Sequence, residues 1–141
     1  MTVDSLSEAQ AYQIVCLDYQ EAHLYAEVIQ VVKTRQICWV RPLLLSISSA
    51  SQLSTSIESI ESSLPSDTST SYDLRETADL LWPLILFRIA LDIEVIPLLA
   101  QLQSWEAHDT TAFGAVDTHL AARQQLHQFI HQVWQAYPEV F

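Results

Sequence analysis

Three runs in the first third of the chain are rich in Val, Ile, Leu and Tyr: residues 12 to 18 (YQIVCLD), 23 to 32 (HLYAEVIQVV) and 36 to 47 (QICWVRPLLLSI). β-branched and aromatic enrichment between polar breaks reads as strand, and the pattern predicts a three-stranded meander. In the second run a strand sets Tyr25, Glu27, Ile29 and Val31 on one face, and Leu24, Ala26, Val28, Gln30 and Val32 on the other. A long helix is the competing reading, because Ile14, Leu17, Leu24, Val28 and Val31 also fall near helical spacing. The chain holds a single glycine, so the turns of a meander must be longer or fall to residues 18 to 21 and 33 to 36. Pro42 excludes a helix interior and suits an edge strand or a strand end, which favours the meander.

Residues 46 to 71 break the rhythm with twelve serines, three threonines and Pro65. Such composition reads as a low-complexity loop inserted between core elements, with a short weak helix as an option where Leu53, Ile57, Ile60 and Leu64 recur. From Tyr72 the run YDLRETADLLWP suggests a fourth strand, and residues 84 to 102 a helix, intact or broken near Pro97. Between residues 116 and 137, Val116, Leu120, Leu126, Ile130, Val133, Trp134 and Tyr137 form an apolar stripe flanked by Gln and His. That is an amphipathic helix, with Gly114 before it, Asp117 in its first turn and Pro138 at its end. The expected architecture is therefore α+β, a small antiparallel sheet from the N-terminal half with one face covered by C-terminal helices, as a single domain over residues 1 to 141; an all-α fold is the alternative.

Charge narrows the partners. There are 17 Asp plus Glu against 6 Lys plus Arg, a net charge of −11. Affinity for nucleic-acid phosphates needs clustered cations, and anionic lipid surfaces repel the same acidic excess, so neither partner is expected. A basic protein partner is. The longest membrane-span candidate, residues 80 to 91, is interrupted by Pro83 and Arg88 and is short of the roughly 20 apolar residues that a spanning helix needs. The first residues lack the basic start and apolar run of a secretory signal, so a soluble, cytoplasmic protein is expected. Cys16 and Cys38 lie in β-like runs without CxxC or Cys/His zinc spacing, and read as buried, reduced thiols that come close together if their strands pair.

The chemistry-bearing residues are few. On a strand Trp39 and Arg41 share a face, where a guanidinium beside an indole binds a carboxylate or a peptide backbone; the alternative is a core Trp39 with Arg41 paired to an acidic neighbour. Arg75 and Trp82 belong to a second Arg/aromatic/Pro set that would line one groove with them, unless Asp73 pairs with Arg75 and Asp92 with Arg88 internally. His127 and His131, four apart on the last helix, are the sharpest metal candidates, but no third ligand is near and His119 is rotated away, so solvated histidines flanking the apolar stripe are the preferred reading and no metal is assigned. No nucleophile elbow, phosphate-cradling glycine loop or dinucleotide fingerprint is present, so no catalytic residue and no cofactor is assigned.

The runs LYAEVIQVVKTRQICWVRPLLL and DLRETADLLWPLILFRIALDIEVIPLL resemble a family of small conserved uncharacterised cyanobacterial proteins. The resemblance implies a cyanobacterial cytoplasm and a role near photosynthetic complexes, and transfers no site residue. Taken together, the residues point to a non-catalytic protein-binding accessory or assembly factor that offers Trp39, Arg41, Arg75 and Trp82 to a partner. The rival is a small-ligand or metal-binding protein or enzyme built on His127 and His131. Self-association into a homo-oligomer through Trp134, Tyr137 and Phe141 is the third reading.

Overall fold

A computed structural model describes residues 12 to 48, 69 to 108 and 112 to 141. Strands form where the apolar runs place them: β1 (Ile14–Tyr19), β2 (Ala22–Val32) and β3 (Ile37–Ser48). They pair antiparallel in chain order, as a meander. Three shorter strands complete an antiparallel sheet of six, β4 (Ser69–Asp73), β5 (Leu80–Pro83) and β6 (Arg88–Ile89), in the order β4-β3-β2-β1-β6 with β5 also on β3. Helices α1 (Asp92–His108) and α2 (Ala112–Ala136) follow. The fold is α+β.

The turns replace glycine with strain. Only Gln20 and Glu21 separate β1 from β2, and Gln20 takes a left-handed φ of 53°. Gln36, at φ 55°, does the same where residues 33 to 36 join β2 to β3, and its side-chain amide donates to the Lys33 carbonyl at 2.8 Å. Each such residue costs about 1–2 kcal/mol, which the long ladders on either side offset.

Pro42 does not sit at a strand end or on an edge strand. It lies inside β3, opposite Ala26 on β2. The other side of β3 carries β5 along residues 37 to 40 and β4 along residues 44 to 48, so the proline falls in the gap between two partners, where a missing N–H costs no rung. The register also shifts between Val28 and Gln30. Face assignments hold up to Val28, but this bulge sets Val31 opposite Cys38 and turns it into the core, contrary to strict alternation.

The main core lies on one face of the sheet. Val15, Leu17, Leu24, Ala26, Val28, Val40 and Leu45 meet Ala122, Leu126, Phe129 and Val133 of α2. Phe129 and Ala122 therefore belong to the buried stripe of α2, whereas Leu120 and Trp134 are exposed. The opposite face is covered by α1, whose Leu98 and Leu102 pack on Leu44 with Tyr25, Ile14 and Trp105. Helices thus cover both faces and not one, because Tyr25 and Leu44, cross-strand partners, point away from the α2 side.

Residues 84 to 102 do not form one helix. Leu84–Leu86 is a single 3-10 turn, Phe87 is extended and buried, and β6 pairs Ile89 with Val15. The helix begins at Asp92, where the Leu91 amide donates to Glu94 Oε2 at 2.8 Å and the Glu94 amide to the Leu91 carbonyl at 2.9 Å, a reciprocal N-terminal cap. It runs through Pro97. The Ser-rich segment contributes strand at both ends, with Ser46 paired to Ser71 and Ile47 to Thr70; its middle, including the optional short helix, lies outside the described residues.

Leu24 and Leu45 are cross-strand partners at the centre of the main core and are fully buried. Leu24→Ala is expected to lower stability by about 2–5 kcal/mol, read from the midpoint of urea unfolding at unchanged slope.

Candidate functional site

Trp39 and Arg41 point to the α1 side of β3, as strand periodicity requires. A carboxylate does sit between them, but it belongs to the chain. The Trp39 indole Nε1 donates to Asp79 Oδ2 at 3.1 Å, and Arg41 Nε lies 3.7 Å from Asp79 Oδ1. Asp79 comes from the turn just before β5, whose Leu81 is the cross-strand partner of Trp39. Trp39 is 37% exposed and Leu81 66%, so Trp39 is not a core tryptophan.

The other two residues expected beside them are elsewhere. Trp82 pairs with Cys38 and points the opposite way, into the main core, at 4% exposure with Phe141 edge-on at 5.2 Å. Arg75 is occupied internally: Nη2 donates to Asp73 Oδ2 and Nη1 to Glu106 Oε1, both at 2.7 Å. It ties the end of β4 to the last turns of α1, and those bonds hold Asp73 below the usual carboxylate range against the opposing push of partial burial. The four residues line no common groove, since one strand carries adjacent side chains to opposite faces.

The α1 side also carries a stripe of exposed apolar residues. Leu98 and Leu102 face the sheet, while Ile93, Ile96 and Leu99 occupy the outer side of the same helix; Ile93 is 78% exposed and Ile96 68%. Over the sheet α1 reaches Tyr25 and Leu44, and Trp39 and Leu81 on the same face stay open to solvent.

A polar cluster fastens α1 to this face. Arg88 of β6 donates through Nε to Asp18 Oδ2 at 2.5 Å, and through Nη1 and Nη2 to Glu94 Oε2 and Oε1 at 2.9 and 2.7 Å. Asp18 Oδ1 further accepts from Cys16 Sγ at 3.2 Å and His23 Nδ1 at 2.5 Å, and Tyr25 Oη donates to Glu94 Oε1 at 3.4 Å. Partial burial pushes the Asp18 carboxyl up, but the bonds from Arg88, His23 and Cys16 outweigh it and hold the group at about 2. Burial, then the Asp18 charge, pushes the Cys16 thiol far above its ordinary range. Burial, with the neighbouring Cys16 and Glu94, pushes Tyr25 up to about 12. Arg88 pairs with Glu94 and not with Asp92.

Both cysteines are buried and free. They do not approach each other, because β2 separates their strands and they face opposite sides: Cys38 lies in the main core and Cys16 faces Asp18. His127 and His131 stand exposed together on α2 with Gln128 and Gln132, and His131 Nε2 lies 3.2 Å from Gln135 Nε2. Among the described residues, the group able to offer three converging metal ligands is instead Cys16, Asp18 and His23. Cys-x-Asp on one strand was its only visible signal; His23 joins through the register Asp18↔His23. No helix of the described residues is long and apolar enough to cross a membrane.

No protein-family model, curated protein or solved structure matches this chain.

Asp18 is held at about 2 against an ordinary 3.8, so its contribution is full above pH ~4 and fades as pH falls toward 2. Arg88→Met is expected to cost ~1–2 kcal/mol near neutrality after solvent screening. In urea unfolding the gap between wild type and variant should narrow between pH 5 and pH 2.5; a constant gap would mean that Arg88 acts through packing alone.

Proposed function

We propose that the protein is a non-catalytic binding module, an accessory or assembly factor that docks a basic protein segment on the α1 side of its sheet. The observation carrying this reading is the exposure, on one side of one sheet, of Trp39 and Leu81 together with the outer stripe Ile93, Ile96 and Leu99. α1 carries apolar residues on its outer side as well as toward the sheet, where an amphipathic surface helix carries polar ones, and exposed apolar surface marks interaction sites. Indole and guanidinium groups are frequent anchors at such sites.

Charge supports the choice of partner. With Asp79 seated between Trp39 and Arg41, the incoming group is not a carboxylate. Asp79, Glu27 opposite Arg41, and the net charge of −11 favour cationic side chains around an apolar centre. The resemblance to cyanobacterial proteins directs the search for that partner to the cytoplasm and the photosynthetic complexes there. Partnering with a second copy is a weaker reading on the same surface, because two copies would bring like charge together.

The test is affinity capture of the full chain from its native cells, alongside a Trp39→Ala/Leu81→Ser variant shown to fold by circular dichroism. One stoichiometric partner with a basic contact segment, retained by wild type and reduced at least tenfold in the variant, is the expected result. Equal capture by both proteins would overturn the assignment of this face. Light scattering at micromolar concentration is expected to give the monomer mass; a dimer lost in the variant would transfer the face to self-association.

A further inference from the structure

The β1–β2 hairpin places three different donor types around one point. Cys16 and Asp18 are two residues apart on β1 and share a face, and Asp18 faces His23 across the two-residue turn. Their Sγ, carboxylate oxygen and ring nitrogen all lie within 4.8 Å of one another. Two of these donors, the thiol and the imidazole, aim their hydrogens at the same atom, Asp18 Oδ1. Such convergence is the arrangement in which a cation replaces protons between ligands.

We propose that Cys16 Sγ, Asp18 Oδ1 and His23 Nδ1 bind a divalent transition-metal ion of the zinc class. Thiolate, imidazole and carboxylate together form a borderline-soft donor set suited to zinc rather than to magnesium or calcium. Ligand bonds of about 2.0–2.3 Å set tetrahedral ligand atoms ~3–4 Å apart. The sulfur-to-oxygen separation of 3.2 Å already meets this, and the 2.5 Å imidazole-to-carboxylate hydrogen bond must open by about 1 Å. His23 is able to make that movement, being partly exposed at the strand end. Asp18 Oδ2 accepts from Arg88 Nε, the outer hydrogen bond that metal-binding carboxylates use for orientation, and Oδ1, the ligand atom, accepts a longer bond from Arg88 Nη2 at 3.2 Å beside those from Cys16 and His23.

Charge balances at the site. On binding, the Cys16 S–H bond breaks, the sulfur–metal bond forms and that proton leaves to solvent, while the His23 proton that bridges Nδ1 and Asp18 is given up at Nδ1 and replaced through solvent at Nε2, which frees the Nδ1 lone pair for the metal. Asp18, Glu94 and the Cys16 thiolate then supply three negative charges against two on the metal and one on Arg88. Among the described residues Tyr25 is the remaining titratable group facing the cluster, and it stays neutral and hydrogen-bonded to Glu94. The site shares no residue with the docking face, so either stands without the other.

The test uses the full reduced chain titrated with Co²⁺ and Zn²⁺. Cobalt bound to a thiolate gives a sulfur-to-metal charge-transfer band in the near ultraviolet. One equivalent is expected to bind with that band, and Zn²⁺ to displace it. Cys38→Ser should keep the band and Cys16→Ser should lose it. His23→Gln, a partly exposed substitution chosen to preserve the fold, should weaken cobalt affinity at least tenfold with an unchanged circular dichroism spectrum. No band in wild type, a band that survives Cys16→Ser, unchanged affinity in His23→Gln, or binding lost only on His127→Ala/His131→Ala would each overturn the proposal.

Discussion

An antiparallel sheet with apolar residues on both faces must be covered twice, and the covers here are unequal. The α2 face is closed by Leu126, Phe129 and Val133 against the β1–β3 ladders, with Phe141 edge-on to Trp82 and Trp134 at 5.2 and 5.9 Å. Tyr137 likewise meets Tyr19 edge-on at 6.3 Å, so Trp134, Tyr137 and Phe141 make ring contacts within the fold while each also keeps an exposed edge. The second face has a narrower apolar contact, Leu98 and Leu102 on Leu44, and depends on charged hydrogen bonds from Arg88 and Arg75 at the two ends of α1. That difference in bonding leaves Trp39 and Leu81 of the sheet itself open to solvent on the α1 side, whereas the sheet residues under α2 are buried.

Arg88 explains the local chain path as well. A helix through residues 84 to 91 would carry this side chain away from Asp18. The extended β6 segment instead pairs Arg88 with Cys16 and lets one guanidinium bind a carboxylate from β1 and another from α1. Glu94 is used twice, as the partner of Arg88 and as the acceptor for the Leu91 amide that starts the helix. The same residues thus begin α1 and fix it to the sheet.

Much of the fold was legible wherever a run was long enough for its composition and period to decide. Strands β1 to β3 and helix α2 came from their Val, Ile, Tyr and Leu patterns, and Trp39 with Arg41 came from alternation. Strands β5 and β6, of four and two residues, are too short to show a period, and β4 lies partly inside serines whose strand pairing is imposed by β3. The bulge at Ile29 defeated face counting for Val31. At the site, local spacing could not reveal Asp79, forty residues from Trp39 in sequence, nor the cross-strand approach of His23 to Asp18. The helical histidine pair drew notice because i, i+4 spacing is visible in one dimension and hairpin register is not.

The openness of the α1-side face is the claim on which the functional reading stands, and it is measured most directly by tryptophan quenching. Two single-tryptophan variants, one keeping Trp39 and the other Trp82 with the remaining three replaced by Phe, would be titrated with acrylamide. Red-shifted emission and strong quenching for Trp39, with blue-shifted emission and weak quenching for Trp82, is the predicted result. Equal shielding of the two indoles would contradict it.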